Sequence, residues 1–270
     1  LYKNMPVDNI LQTNGATGAT MLALYALIEP EDHVISMYPT YQQLYDIPKS
    51  LGADVDLWEV EEDKGWLPDL DQLRRLIRPN TKMICINNAN NPTGALMDAA
   101  YLEELVAIAK EVDAYIFSDE VYRSFDQPVP SIVDLYAKGI AVNSLSKTYS
   151  IPGIRVGWVA SNTEVADILR DYRDYTMICA GVFDDMVATL VLENKEAILE
   201  RNRQIVEENL ALMDTWIARE SKASWIRPAS VSTSFVKLDV NRPIEDFALE
   251  LLQDYGVLVV PGNRFDKESH

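Results

Sequence analysis

Short apolar runs alternate with longer segments of helical periodicity through the middle of the chain. The apolar runs at residues 83–87, 115–118, 140–143 and 156–160 predict strands, and residues 99–112 predict a helix between the first two. Parallel strands need a crossover connection, which is usually a helix, so this alternation is typical of a parallel sheet. The pattern therefore predicts an α/β fold with a mostly parallel central sheet.

The segments on either side extend this pattern. Residues 17–28 are apolar almost all the way around a helix, which is typical of a helix buried against a sheet, and Pro30 follows as a stop signal. Residues 34–37 predict the next strand. Further along, residues 163–175 and 184–220 are charged and helical in period, and the second of these is long enough to link two domains.

The C-terminal part of the sequence returns to an α/β pattern. It predicts a strand, a helix and a strand, at residues 234–238, 244–254 and 257–260. A section this short corresponds to about half a domain. We therefore expect a large domain at residues 1–210 and part of a smaller α/β domain at residues 211–270.

The composition indicates a folded, water-soluble protein, with 48% hydrophobic and 24% charged residues among the 270. The longest apolar run, residues 21–28, is far shorter than the roughly 20 residues that cross a bilayer, and no signal-peptide pattern is visible. Asp and Glu total 42 against 24 Lys and Arg, so the formal charge of −18 repels phosphate backbones and anionic lipid surfaces. We expect neither nucleic acid nor a membrane as a partner.

Cysteine and histidine are too scarce to carry much chemistry. Cys85 and Cys179 are each surrounded by apolar residues, so we expect two small core residues rather than a disulfide or a metal site, and a reducing cytoplasm as the location. With His33 and His270 as the only histidines, a Ser-His-Asp triad or a zinc centre would have to be built around His33 alone. The sequence therefore points to chemistry that depends on lysine.

Polar residues follow the predicted strands at the edge where open α/β sheets bind ligands. They lie in four segments, at residues 14–19, 91–94, 119–122 and 144–147. Asn91 and Asp119 are 28 residues apart, as are Asp119 and Lys147, which is the length of one strand-helix-strand unit. We therefore expect Asn91, Asp119 and Lys147 to lie side by side in one site.

The order and spacing of these segments resemble the class I/II aminotransferases, which are pyridoxal-phosphate (PLP) enzymes of fold type I. The motifs that carry the resemblance are Asn91-Pro92-Thr93-Gly94, Ser118-Asp119-Glu120-Val121-Tyr122, Ser144-Leu145-Ser146-Lys147 and Gly153-Ile154-Arg155-Val156-Gly157. Each motif alone also fits a turn, a helix cap or a surface residue, whereas all of them in order form a specific signal that covers essentially the whole chain. The resemblance implies a PLP-binding large domain with helices on both faces of the sheet. It also implies a homodimer, because the family's sites lie at the subunit interface.

The resemblance assigns catalytic roles to three residues. Lys147 would hold PLP as a Schiff base and would later move the Cα proton of the substrate to C4′ of the cofactor. Asp119 would pair with the protonated pyridine nitrogen and keep the ring an electron sink. Tyr122, together with Asn91, would hydrogen-bond the phenolic oxygen of the cofactor.

The remaining cofactor contacts follow from the same resemblance. The phosphate would lie at the N-terminus of the buried helix, on the backbone N–H groups of Ala16 and Thr17 and on the Thr17 hydroxyl. The ring of Tyr41 would stack on the pyridine ring. The other side chains that would hold the phosphate are those of Ser144, Ser146 and Arg155.

The resemblance implies an aminotransferase that moves an amino group from an amino acid to a 2-keto acid. Two alternatives use the same residues: elimination, racemisation or oxidation of an amino acid, and a non-catalytic aminotransferase-like sensor domain of a transcription regulator. A penicillin-binding reading of Ser144-x-x-Lys147 is excluded, because the companion Ser-Asp-Asn and Lys-Thr-Gly motifs are absent.

Two family features fall outside the resemblance. Family members carry a segment before the helix that includes a tyrosine reaching the partner's cofactor phosphate, and Gly15 is only 14 residues from Leu1. The family's arginine for the substrate α-carboxylate lies beyond the stretch at residues 260–265. We expect both features in residues that flank this sequence, and we do not assign the arginine's role to Arg264.

Overall fold

A computed structural model describes residues 1–229, 231–267 and 270, and its main feature is a large mixed sheet. The strands of this sheet are β1 (Ile10–Asn14), β2 (His33–Tyr38), β3 (Asp54–Glu59), β4 (Thr81–Asn87), β5 (Tyr115–Asp119), β6 (Gly139–Ser144) and β7 (Val156–Ala160). Across the sheet they follow the order β1-β7-β6-β5-β4-β2-β3. Strand β7 is antiparallel to its neighbours β1 and β6, and the other neighbouring strands are parallel.

Helices connect the strands and cover both faces of the sheet. They are α1 (Gly15–Leu27), α2 (Gln43–Ser50), α3 (Leu70–Leu76), α4 (Ala99–Glu111), α5 (Ile132–Leu135), α6 (Thr163–Arg173), α7 (Val182–Glu193), α8 (Lys195–Ile217) and α9 (Ile244–Tyr255). A two-stranded antiparallel sheet pairs β8 (Ala223–Trp225) with β9 (Val236–Leu238). In the part of the chain that the structure describes, no helix is long and apolar enough to span a bilayer.

The core explains why the central strands were visible in the sequence. Strands β2, β6 and β7 are buried at every residue, because helices cover both faces, so each contains a short apolar run. One core cluster packs α1 and α6 on one face, with Leu24 and Leu169 fully buried. The other packs α4 on the opposite face, with Leu105 fully buried. The predicted α/β fold with a mostly parallel sheet and helices on both faces is confirmed.

Three details differ from the sequence prediction. The helical segment at residues 184–220 is two helices, α7 and α8, which are separated at Asn194. Residues 257–260 are exposed and form no strand, so that prediction is wrong: no described segment pairs with them. Cys85 is buried as expected, but Cys179 is exposed, because it lies in the surface connection between α6 and α7.

The predicted division between residues 1–210 and 211–270 falls inside α8. This helix continues without interruption from Lys195 to Ile217. The domain boundary therefore stays a prediction.

Candidate active site

A cavity of about 260 Å³ lies at the carboxyl ends of the central strands. All ten residues that the resemblance assigns to the cofactor line it, namely Ala16, Thr17, Tyr41, Asn91, Asp119, Tyr122, Ser144, Ser146, Lys147 and Arg155. Parallel strands bring these residues together because their carboxyl ends meet at one edge of the sheet. Asp119 is buried, whereas Lys147 and Arg155 are exposed, so the carboxylate lies at the floor of a cavity whose rim is basic.

The start of α1 forms one end of the cavity and suits an anion. The preceding residue, Asn14, makes no side-chain cap hydrogen bond, so the first N–H groups of the helix have no partner from that side chain. A Cβ added to Gly15 would lie 2.5 Å from Nη2 of Arg155, and one added to Gly157 would lie 2.4 Å from the carbonyl carbon of Gly15. These two glycines therefore let β7 and the guanidinium approach the N-terminus of the helix, where a phosphate is stabilised.

The Arg155 side chain is held by the main chain of the turn that precedes it. It has a φ of 53° directly after a short helical turn at residues 152–154, and its Nη1 donates to the carbonyl of Pro152 at 2.9 Å. Among the described residues no carboxylate forms an ion pair with Arg155. The guanidinium is therefore available to a bound anion. Beside it, the N–H of Ser146 donates to the hydroxyl of Ser144 at 3.3 Å.

The floor of the cavity suits a cation. Asp119 ends β5, is 6% exposed, and accepts a hydrogen bond from the N–H of Val121 at 3.0 Å. Burial raises the pKa of Asp119 to about 6, the nearby charge of Glu120 adds to this rise, and the Val121 hydrogen bond opposes it. No lysine, arginine or histidine of residues 1–229, 231–267 or 270 forms an ion pair with Asp119. A bound cation would relieve the cost of this buried charge.

Lys147 and Tyr122 face each other across the cavity. The Nζ of Lys147 lies 5.8 Å from the centroid of the Tyr122 ring. Burial raises the pKa of Tyr122, and the negative charge of Asp119 adds to the effect. The Tyr122 hydroxyl therefore stays protonated near neutral pH and is available as a hydrogen-bond donor.

The sequence prediction missed Asn87, which joins two of the predicted residues. Its Nδ2 donates to the backbone carbonyl of Asp119 at 3.0 Å, and its Oδ1 accepts from the N–H of Asn91 at 2.7 Å. Asn87 ends β4 and is the register partner of Asp119, so its place as a polar end of an apolar strand was a usable signal. Gln43, Val121 and Pro152 also line the cavity and were not predicted.

Two other residues considered in the sequence lie outside the cavity. His33 begins β2, so it lies at the amino end of this strand, away from the carboxyl ends that form the cavity. Its ring contacts the Thr81 hydroxyl at 2.8 Å and Asp56 at 3.1 Å. Arg264 pairs with Glu245 at 2.5 Å. Neither contributes to the candidate site.

A buried carboxylate, an amine and a separate anion site at the carboxyl ends of the strands fit a ligand that carries an anionic group at one end and a cationic group at the other. The residues present fit PLP in this respect, because the start of α1 and Arg155 suit its phosphate while Asp119 suits its protonated ring nitrogen.

The family itself follows from comparison with known proteins. The model of the family "Aminotransferase class I and II" matches residues 2–270, and the chain belongs to that family. A crystal structure of a PLP-dependent aminotransferase from Streptococcus suis 89-1591 is 71% identical with a TM-score of 0.98, covering 99% of this chain and 72% of that one. Aspartate aminotransferase of Thermotoga maritima is 30% identical over 98% of this chain and 70% of its own length. Capreomycidine synthase of Streptomyces vinaceus is 27% identical over 96% of this chain and 68% of its own length.

These findings confirm the predicted activity and cofactor. The chain is a PLP-dependent aminotransferase of fold type I, whose family acts on amino acids and keto acids. The alternatives of elimination, racemisation, oxidation or a sensor domain are not favoured, since further relatives are also named as aminotransferases.

Proposed function

We propose that the cavity holds PLP and that Lys147, Asp119 and Tyr122 catalyse transfer of an amino group from an amino acid to a 2-keto acid. One observation carries the proposal: a buried carboxylate with no cationic partner among the described residues shares a cavity with an amine and an anion site. When bound, PLP supplies a carbonyl that accepts the amino group and a ring that withdraws electrons from the substrate Cα.

Lys147 has the role of binding the cofactor and moving a proton. Its amine lies 5.8 Å from the centroid of the Tyr122 ring and lines the same cavity as the residues of the anion site. With PLP bound, the Lys147 amine would hold the cofactor and would act as the base that moves the substrate Cα proton, a role worth roughly 10²–10⁴ in rate when the base is well positioned.

Asp119 and its neighbours orient the ring. The carboxylate of Asp119 would hold the proton on the pyridine nitrogen, and a charge pair at 4 Å is worth about 4 kcal/mol at an effective dielectric constant of 20. The Tyr122 hydroxyl and the Asn91 amide would donate to the phenolic oxygen. The Tyr41 ring would stack on the pyridine and limit its tilt.

The anion end anchors the cofactor. Backbone N–H groups of Ala16 and Thr17 and the Thr17 hydroxyl bind the phosphate at the positive end of the α1 dipole. The Ser144 and Ser146 hydroxyls and the Arg155 guanidinium complete the anchor. Together these groups would bind the doubly charged phosphate at one local site, although the formal charge of the whole protein is −18.

We also propose that the enzyme is a homodimer whose interface includes α7. Phe183 is 83% exposed and Leu190 is 59% exposed on this helix, and Val182 and Met186 are exposed beside them. A contiguous apolar surface of this kind is typical of a protein interface. The acidic charge supports the absence of nucleic-acid and membrane partners, and the free thiols of Cys85 and Cys179 support a cytoplasmic location.

Borohydride reduction of the PLP-loaded protein tests the site. Reduction followed by peptide mapping should place the pyridoxyl group on Lys147, and the label should be lost in Lys147→Arg but kept in Lys110→Arg, a control on the exposed side of α4. A label on any other lysine of the wild-type protein would contradict the assignment.

A half-reaction tests the type of transfer. An amino acid added without a keto acid should convert the spectrum to that of pyridoxamine phosphate, and a keto acid should reverse it. Sustained ammonia release without this conversion would contradict amino transfer.

Light scattering tests the dimer. Leu190→Glu should dissociate it, whereas Leu212→Glu, at a 67% exposed position on α8, should not. A wild-type protein that is monomeric at micromolar concentration would contradict the homodimer.

A further inference from the structure

Thr148, the residue after Lys147, makes an unusual pair of contacts with a neighbouring turn. It is 7% exposed, and its hydroxyl donates to the carbonyl of Val121 at 2.9 Å while accepting from the N–H of Arg123 at 3.0 Å. These two backbone groups flank Tyr122. One buried hydroxyl therefore bridges both sides of Tyr122 from the position adjacent to Lys147.

Backbone contacts hold the rest of this arrangement. The carbonyl of Tyr122 accepts from the N–H of Ala89 at 2.7 Å, which fixes the turn from the β4 side. The carbonyl of Lys147 accepts from the N–H of Ser150 at 2.9 Å, which closes the loop that carries the amine. The Thr148 side chain hydrogen-bonds these two segments to each other.

A residue on a distant helix holds Thr148 in turn. The Nδ2 of Asn202, on α8, donates to the carbonyl of Thr148 at 3.0 Å. Asn202 is 4% exposed, and its Oδ1 accepts from Nη1 of Arg201 at 2.9 Å. A buried amide that is satisfied at both ends has one orientation available, so it fixes the main chain at Thr148.

We propose that Thr148, anchored by Asn202, is a positioning residue that sets the Lys147 amine against the Tyr122 ring. The inference rests on the proposed roles of Lys147 and Tyr122 and adds the residues that determine their separation. Thr148 does not line the cavity, so we expect it to act through the two segments that it joins.

The test compares Thr148→Val, which keeps the shape and removes both hydrogen bonds, with Thr148→Ser, which keeps the hydroxyl. The main readout is the pH midpoint at which the visible band of the PLP-loaded protein changes. This midpoint marks loss of the proton from the nitrogen that joins Lys147 to the cofactor, and a hydrogen bond to the neighbouring phenolic oxygen shifts it. Melting temperature and the rate of PLP capture by the cofactor-free protein are measured alongside. Thr215→Val, which removes one exposed hydroxyl contact on α8, controls for loss of a threonine hydrogen bond.

Thr148→Val should shift the midpoint by about 0.7 pH unit, the equivalent of one ordinary hydrogen bond, in the same direction as Tyr122→Phe. It should also slow PLP capture by roughly tenfold or more, since small misplacements of reacting groups have large effects on rate. Thr148→Ser and Thr215→Val should match the wild type. In a Tyr122→Phe background, Thr148→Val should add no further shift.

Other outcomes overturn the inference. A Thr148→Val protein with a lower melting temperature but a wild-type midpoint and capture rate would show that Thr148 is only structural. An equal shift with and without the Tyr122 hydroxyl would exclude a route through Tyr122. If Thr148→Val does not fold, Asn202→Ala must give a smaller shift of the same sign, and a wild-type midpoint there refutes the proposal. Failure of the proposed function is distinct, because it would appear as a wild-type midpoint in Tyr122→Phe alone.

Discussion

Replacing Asp119 by Asn should make the cofactor-free protein more stable while it disables the enzyme. Asn keeps an oxygen for the N–H of Val121, which now donates to the carboxylate at 3.0 Å, so the turn after β5 is preserved. The substitution removes the buried charge and replaces the second carboxylate oxygen by an amide group of similar size. The charge that would pair with the cofactor's ring nitrogen is a cost to the protein when no cation is present.

The magnitude follows from the pKa. The pKa of Asp119 rises from 3.8 to about 6, chiefly through burial. At 1.36 kcal/mol per pKa unit, ionisation of this group in the folded state costs about 3 kcal/mol. The pKa is higher in the folded protein than in the unfolded chain, so the folded state is favoured when Asp119 is protonated. This contribution to the free energy of unfolding is fully present below pH 3.8 and is lost as the pH rises through about 6. Above about pH 6 the variant should therefore be more stable by about 3 kcal/mol, a rise in melting temperature of roughly 6–12 °C.

Thermal unfolding of the cofactor-free proteins between about pH 4 and 8 measures this effect. The difference between Asp119→Asn and the wild type should grow from about pH 4 to 6 and then stay constant. Glu103→Gln, at an exposed position on α4, removes a carboxylate charge without burial and should give no such profile. A melting temperature that is unchanged at neutral pH, or a difference that does not vary with pH, would refute the reasoning. Turnover of the PLP-loaded variant should fall at the same time, by more than tenfold.

Two further substitutions test the fold and the anion site. Burial lowers the pKa of His33, so the neutral ring is favoured in the folded state and stability should fall as the pH drops below 6.5; in His33→Gln the melting temperature should change less over that range. Gly157→Ala should weaken PLP binding by about tenfold or more, because its Cβ would lie 2.4 Å from the Gly15 carbonyl carbon and displace the start of α1. Gly153→Ala, where a Cβ meets no atom within 4 Å, should bind PLP like the wild type in the same equilibrium titration.

Burial on both faces decided which strands were predictable. Strands β2 and β4–β7 are mainly apolar and almost wholly buried, which is typical of central strands in a sheet that helices cover on both faces. Strands β1 and β3 lie at the edges of the sheet and mix polar with apolar residues, so neither stands out. The apolar run at residues 257–260 was predicted as a strand but forms none. An apolar run alone does not show whether a neighbouring strand is present to pair with it.

The candidate site divides in a similar way. Asn91, Asp119 and Lys147 were found because regular strand-helix-strand spacing carries them to one edge. Asn87, Thr148 and Asn202 were missed because they act through hydrogen bonds to the main chain of segments far away in sequence. Spacing predicts which residues meet at an edge, but it does not predict which of them fix the backbone.

The uncapped start of α1 has a consequence for how the enzyme responds to acidity. Backbone N–H groups do not titrate in the physiological range, so the affinity that Ala16 and Thr17 would have for an anion does not depend on the protonation of a side chain. The opposite end contains Asp119, whose pKa of about 6 lies inside that range. In the cofactor-free protein, acidification therefore neutralises the floor of the cavity and leaves the start of α1 unchanged, whereas a cation bound at Asp119 would lower its pKa and oppose this protonation.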